Sequence, residues 1–497
     1  PGPYGPYGAT GQQQPPMYPA PGAPGGGGGK NNKMIAIVAA AVAAVLVAGA
    51  GVFFLTRDDD GDDKKDESKG NNSQGSQGSQ RGGADPKPTS TKGDELFSID
   101  DPEVKDYTKV PGAWATDKVF AKTGLKELLV VDLKTNQQKK PVKLRGEVCG
   151  ASNGMTKRHE VGLVVRETVS SKASCNHMVV VNIETGKIVM DEKMPNAERE
   201  SSNENVAISG DTVASAWTGG SAAYDIPSGK ELWSAKPSNC RDEGYAGGKH
   251  LYAVTRCGTD YDKPQYTVQR LDPKNKGKAT WKFKVPKGVK SINIASTDPL
   301  VLAVGTSSRS SSVSDLMTVG EDKALKARIP LDKKYVSPCY YQGVDSCYNI
   351  AVGPDTVYLA TKEHSGQADY GRTNEIMALD FNSGNAKWKA EAGEKRSFIP
   401  LRMQGTNLIA YKLPDYQGGG EVVSIEPGKG KQTRLLQLPA SRQGSGEQAF
   451  NISSSSLRMP LLWEHNRLFL HKANLLKKRD SGYTSPFSKL AAGFGAE

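Results

Sequence analysis

From Trp114 to the end of the chain one short pattern keeps returning. Apolar strand residues run into a polar residue, an apolar residue and a turn, often Thr/Ser-Gly, and then into a strand that often holds Trp. The units are Val131-Asp132-Leu133-Lys134-Thr135-Asn136, Val181-Asn182-Ile183-Glu184-Thr185-Gly186, Tyr224-Asp225-Ile226-Pro227-Ser228-Gly229 with Trp233, and Leu271-Asp272-Pro273 with Gly277 and Trp281. They continue through Leu379-Asp380-Phe381-Asn382-Ser383-Gly384 with Trp388 and Val423-Ser424-Ile425-Glu426-Pro427-Gly428, with a degenerate copy at Met317-Thr318-Val319-Gly320. Anchored on residues 132, 182, 225, 272, 318, 380 and 424, the unit recurs mostly every forty-odd residues and widens once, between 318 and 380. Such a period, with several short strands in each, predicts the blades of a β-propeller.

Each unit also opens on an earlier strand pair. Ala113 to Lys122, Val206 to Ala216, Gly247 to Arg256, Val352 to Thr361 and Met403 to Lys412 carry alternating apolar residues, several of them around a Gly-containing turn, as hairpins do. An eighth hairpin lies at Leu461 to Lys472, and after it only Lys489 to Phe494 remains as a strand. The last blade is therefore one strand short. Glu95 to Ile99, ahead of the first blade, is the expected donor, because a strand lent from the opposite end closes the ring and covers an edge. The fold expected over 94–497 is all-β, a seven- or eight-bladed propeller with eight preferred.

The form Leu-Asp-x-x-Ser/Thr-Gly-x-x-x-Trp, clearest at Leu379 to Trp388 and Tyr224 to Trp233, resembles the quinoprotein-type (PQQ-like) propeller repeat. The resemblance covers about residues 110–495. That family includes quinone-dependent alcohol dehydrogenases, the propeller lipoprotein of outer-membrane assembly and sensor domains, so it implies a fold more than a function. With its N-terminal segments the chain resembles membrane-anchored PQQ-like proteins of actinobacteria. The family's enzymes hold the quinone beside a disulfide between adjacent cysteines, with calcium and a catalytic Asp. This chain has no adjacent cysteine pair, so the resemblance carries over no quinone ligand or base. The tryptophans 233, 281 and 388 are expected to pack between blades.

Ahead of the repeats, Met34 to Leu55 is a run of 22 residues without a charge, long enough as a helix to cross the roughly 30 Å hydrocarbon core of a bilayer. It divides the chain into a disordered Pro/Gly-rich tail (1–33), a transmembrane helix (34–55), an acidic and Ser/Gly/Gln-rich linker (56–93) and the propeller (94–497). Ala48-Gly49-Ala50 also has the form of a signal-peptidase site, but the apolar run continues through Phe53, Phe54 and Leu55, and an uncleaved anchor is the favoured reading. Basic residues flank both ends, Lys30 and Lys33 before and Arg57, Lys64, Lys65 and Lys69 after, so charge does not set orientation. The cysteines do. All six lie in the large part, which fits a single-pass protein of the cell membrane with its N-terminus cytoplasmic and its propeller extracellular. Ala36, Ala40, Ala44 and Ala48 form a small-xxx-small stripe that allows a weak homodimer through the span.

Cys149, Cys175, Cys240, Cys257, Cys339 and Cys347 fall into three clusters, and neighbour pairing is the simplest of their fifteen connectivities. Cys339 and Cys347 sit in the widened interval, where blade packing is expected to be thinnest, so their bond is expected to order a surface loop. Other chemistry is not met. The six histidines occur singly, without a metal-binding spacing. Gly25 to Lys30 fails as a phosphate loop because Pro24 takes the first Gly position and Asn31 replaces the Ser or Thr. Asp58, Asp60, Gly61 and Glu67 match only part of a calcium loop, and Gln443 and Glu447 occupy both Gly positions of a nucleophile elbow around Ser445.

The net charge of +11 favours anionic neighbours, and the dispersed lysines and arginines lack the pattern of a nucleic-acid groove. The function expected is a non-catalytic scaffold or sensor that binds a protein or a cell-envelope ligand by loops at one mouth of the ring, with no cofactor and no metal. The alternatives are a quinoprotein-type dehydrogenase and a cell-envelope assembly factor.

Overall fold

In the computed structural model the described residues are 81–82, 88, 90–200, 202–258, 260, 263–307, 313–339, 343–366, 371–415, 418–440, 446–455, 461–477 and 488–496. The chain divides into two units, 1–67 and 68–497, and all of the first lies outside these residues. So does the expected span Met34 to Leu55. Among the described residues no helix is long and apolar enough to cross a membrane.

Eight antiparallel sheets make the eight blades. Blade 1 is built on Ala113–Ala115, Val119–Thr123 and Glu127–Asp132, with the short Gln137–Gln138 and Val142–Lys143 outside. Blade 2 comprises Val148–Met155, Glu160–Arg166, Cys175–Asn182 and Lys187–Lys193, and blade 3 Ala207–Ser209, Thr212–Trp217, Gly220–Asp225 and Glu231–Ala235. Blade 4 follows with Cys240–Ala246, Leu251–Cys257, Gln265–Asp272 and Lys278–Lys284, and blade 5 with Ser291–Thr297, Leu300–Gly305, Asp315–Val319 and Leu325–Pro330. Blade 6 holds Ile350–Val352, Thr356–Ala360, Glu375–Asp380 and Ala386–Glu391; blade 7 holds Phe398–Gln404, Asn407–Lys412, Glu421–Ile425 and Gln432–Gln437. First strands of successive blades touch, as Ala113–Ala115 touches Val148–Met155, so they line the central channel.

Blade 8 closes the ring. Its first three strands, Leu462–Glu464, Arg467–His471 and Lys489–Gly495, come from the C-terminal end, and the fourth, Asp94–Asp100, comes from ahead of blade 1. The register runs antiparallel from Asp94 opposite Gly495 to Asp100 opposite Lys489. Phe97 of the lent strand meets Phe120 of blade 1 and Phe469 of blade 8, with ring centroids 5.5 and 6.2 Å away, and it lies over Gly493, where a Cβ would come within 2.3 Å of its ring. Lys472 adds an ion pair to Asp101 at 2.5 Å. Arg81–Gly82 also pairs with Met403 and Gln404 of blade 7, and Lys92 bridges to Gln437 of the same blade.

The repeat has a physical reason. In each of four blades the polar residue ending the third strand accepts backbone hydrogen bonds from the turn that follows. Asp380 Oδ1 takes the N–H of Asn382 and Ser383 at 3.0 and 2.8 Å; Asp132 and Asn182 do the same, and Asp225 takes the N–H of Ser228. These are Asx turns, which only Asp, Asn and more weakly Ser or Thr can make. The chain then needs a left-handed residue, supplied by Gly186, Gly229 and Gly384 at φ 70, 69 and 73° and by Asn136 at φ 57°. The tryptophan that follows reaches the turn of the next blade. Trp233 of blade 3 lies against Gly277 of blade 4, where a Cβ would stand 2.7 Å from the indole, and Trp281 of blade 4 donates to the carbonyl of Glu321 in blade 5 at 2.9 Å.

Phe97→Ala empties the junction of the lent strand with blades 1 and 8, and is expected to lower stability by about 3–5 kcal/mol. Urea unfolding followed by tryptophan fluorescence measures it; an unchanged midpoint would mean that Asp94–Asp100 does not hold the ring closed.

Candidate binding site

Because strand direction alternates within a blade, the turns after the first and third strands lie on one face, and the connections after the second and fourth lie on the other. Turns on the first face are two to six residues long. The second face carries the long connections, 194–206, 331–349, 438–461 and 472–488. It also carries the disulfides Cys149–Cys175, Cys240–Cys257 and Cys339–Cys347. The first joins the inner strand of blade 2 to its third strand, the second ties the first two strands of blade 4 opposite one another, and the third lies within the connection between blades 5 and 6. No free cysteine occurs among the described residues.

That last connection corrects an expectation. The Cys339–Cys347 bond does not order a surface loop: the two residues are 5% and 1% exposed and pack with Leu316, Ile350 and Leu359. The segment around them enters the channel. Asn293 Nδ2 and Ile294 N of blade 5 donate to the carbonyls of Gly343 and Val344, each at 2.6 Å. Asn153 Nδ2 of blade 2 donates to the Asp345 carbonyl at 2.9 Å, and Asn349 Nδ2 donates to Ser454 O, ahead of blade 8, at 2.8 Å. Gly244 of blade 4 leaves room for Val344, whose Cγ2 would stand 2.5 Å from a Cβ there. These partners sit well inside the inner strands and on widely separated blades, so residues 343–349 form a plug within the mouth.

Between the plug and blades 3, 4 and 5 lies a cavity of about 340 Å³, toward the small end for ligand pockets. Its lining is polar, from Asn203, Glu204, Asn205, Arg241, Asp242, Glu243, Lys290 and Asn293, with Trp217 and Tyr266 beside them. Most of these groups are held in place. Glu243 Oε1 pairs with Arg241 Nε at 2.8 Å and with Arg256 Nε at 2.6 Å. Asp242 accepts from Tyr245 and Ser221 hydroxyls at 2.6 and 2.9 Å and from Thr255 at 3.1 Å. Asn205 exchanges hydrogen bonds with the Tyr245 backbone, at 2.7 and 2.9 Å. Such a wall presents fixed donors, acceptors and charges to an occupant. Its lining includes no histidine, and among the described residues no group of three His, Cys, Asp or Glu could hold a metal ion.

The histidines are dispersed, as His177 beside Asp191, His159 beside Glu184 and His364 beside Glu375 show. The plug, the inward amides Asn153, Asn205 and Asn293, and the Arg241-Asp242-Glu243 run were not singled out from the sequence. Three consecutive charged residues just after Cys240, where an inner strand should be apolar, were the signal available.

Compared with protein-family models, residues 176–323 match the family described as outer membrane protein assembly factor BamB. The matched stretch supports a PQQ-like propeller. It contains blades 3 and 4, most of blade 5 and the outer half of blade 2, and so most of the cavity wall. Among solved structures, the C-terminal WD40 domain of Sif2 is 10% identical over 82% of this chain and 99% of that one, with a TM-score of 0.45. The quinohemoprotein alcohol dehydrogenase from Comamonas testosteroni is 11% identical over 81% and 76%, with a TM-score of 0.43. Hydrazine synthase of Kuenenia stuttgartiensis is 12% identical over 70% and 97%, at 0.37. A search of curated proteins finds no match.

Asp345 gives the plug a pH dependence. Burial pushes its carboxyl from 3.8 up to about 7, against hydrogen bonds from Asn153 and Asn205 that favour the charged form. The folded chain therefore holds this proton more tightly than the unfolded chain. Its contribution is full below 3.8 and is lost as pH rises through about 7. Asp345→Asn is expected to flatten the fall in stability over that window, as read by thermal melts at a series of pH values; an identical pH profile would show that the carboxyl is not buried in the folded protein.

Proposed function

We propose that this chain is a membrane-anchored extracytoplasmic propeller that binds a protein partner at its plugged, disulfide-stapled mouth and carries out no reaction of its own. The observation that carries this reading is the wall of the cavity. Its carboxylates Asp242 and Glu243 are already engaged by hydroxyls and guanidinium groups of the same chain, which suits recognition by fixed groups. The plug occupies the channel mouth, so a partner meets a surface built from several blades.

Two further features support the location. Three disulfides fit an oxidising compartment, and the uncharged run Met34 to Leu55 supplies the anchor. The family description that residues 176–323 match, an outer-membrane assembly factor, supports a protein partner over a small ligand and keeps envelope assembly as the nearest specific role.

A photo-crosslinking amino acid placed at Lys290, on the cavity wall, is expected to capture a protein in intact cells, while the same residue at Lys323, in a turn of the opposite face, is not. Equal capture from both positions would remove the mouth as the site. Quinone-dependent dye reduction by the purified full chain would replace a binding role with an enzymatic one.

A further inference from the structure

The outer strand of blade 4 differs from its counterparts. From Pro273 to Lys290 the chain holds seven lysines and no acidic residue. Three of them, Lys278, Lys282 and Lys284, belong to the strand Lys278–Lys284, and with Thr280 they are exposed while Trp281 and Phe283 point inward. On blades 5, 6 and 7 the cations of the outer strand are ion-paired within the protein: Lys326 with Asp322, Arg328 with Asp315, Lys387 with Asp355, Lys389 with Glu391 and Arg434 with Glu421. Lys278, Lys282 and Lys284 have no ion pair among the described residues. Among the described residues no strand pairs with the outer side of Lys278–Lys284, so a row of backbone donors and acceptors lies open beside a row of uncompensated cations.

We infer that this edge is a docking site for an extended acidic peptide segment of a partner protein, which adds to blade 4 as a fifth strand. Residues two apart on a strand stand about 6.8 Å apart on one side, so an added strand with acidic residues at alternate positions sets carboxylates opposite Lys282 and Lys284, while the bulge at Thr280 turns Lys278 to the other side of the edge. The open backbone ladder selects for peptide over other polyanions, because only a peptide supplies matching N–H and C=O groups. The same lysines oppose pairing with a second copy of this edge, since like charges would face each other. The site lies on the rim of the ring and does not depend on the cavity at the mouth.

The test uses the full chain in detergent and a fluorescein-labelled peptide of alternating glutamate and threonine, about ten residues long. Its control is an isomer of the same composition with the glutamates in one block. Anisotropy is expected to show binding of the alternating peptide that weakens with salt, that is at least about tenfold weaker for the block isomer, and that falls by a similar factor in the Lys282→Glu, Lys284→Glu variant. Amide exchange across Lys278–Lys284 is expected to slow on binding. The corresponding Lys→Gln variant and thermal melts separate lost binding from lost folding. Equal affinity for the two peptides, unchanged exchange on binding, or a preference for polyphosphate or phosphatidylglycerol vesicles over the alternating peptide would each overturn the proposal.

Discussion

Every blade of this ring is apolar on both faces, and that constraint governs the rest. Middle strands such as Thr212–Trp217 and Leu300–Gly305 are buried along their whole length, so an isolated blade would leave two hydrophobic surfaces in water. Stability comes from each blade's neighbours, and a linear array would fail at its two ends. The strand Asp94–Asp100 removes those ends by joining the start of the chain to Lys489–Gly495. The buried cluster of Phe97, Phe120 and Phe469 makes that junction part of the core.

A ring solves the packing of the blades but leaves a channel at its centre. The inner strands of this propeller carry Ser152, Asn293 and Ser296 in buried positions and Asn153 half-buried, and buried amides need partners. Asn153 and Asn293 find theirs in the carbonyls of Asp345 and Gly343. The plug and the polar inner strands are thus one device: the amides would be poorly satisfied without the segment, and the segment would have buried carbonyls without the amides. The bond between Cys339 and Cys347 limits the freedom of that short insertion before it enters the channel, which lowers the entropy lost on ordering it.

The repeat was legible because its turn has strict chemical demands. An Asx turn needs Asp or Asn at the end of the third strand, a left-handed position needs Gly or Asn, and Gly277 has to stay bare for Trp233. Those requirements recur at a regular spacing, so a ring of seven or eight blades could be read from residues alone, and the missing strand of the last blade pointed to the lent one. The plug makes no periodic demand. Residues 343–349 are held mainly through their backbone carbonyls and by side chains from distant blades, and nothing local in Gly343-Val344-Asp345-Ser346 announces that. The wide interval between 318 and 380 showed that something was inserted there, but a surface loop was the wrong reading because burial of the insertion depends on long-range partners. The cavity was missed for the same reason, since Arg241, Asn203 and Lys290 meet only when three blades are side by side.

The two faces of the ring carry different constraints. On the face with short turns, a turn can receive the tryptophan of the preceding blade, as Glu321 does from Trp281 and Gly277 from Trp233, so a change there disturbs two blades at once. The face with long connections couples its blades through the plug instead. Its segments vary in length from blade to blade, and three disulfides fix the places where they leave the strands. Preorganised side chains on fixed strands, bordered by connections free to differ, are what a recognition surface requires. The segregation of repeat chemistry to one face leaves the other available for a partner, and the cavity beside the plug lies on that second face.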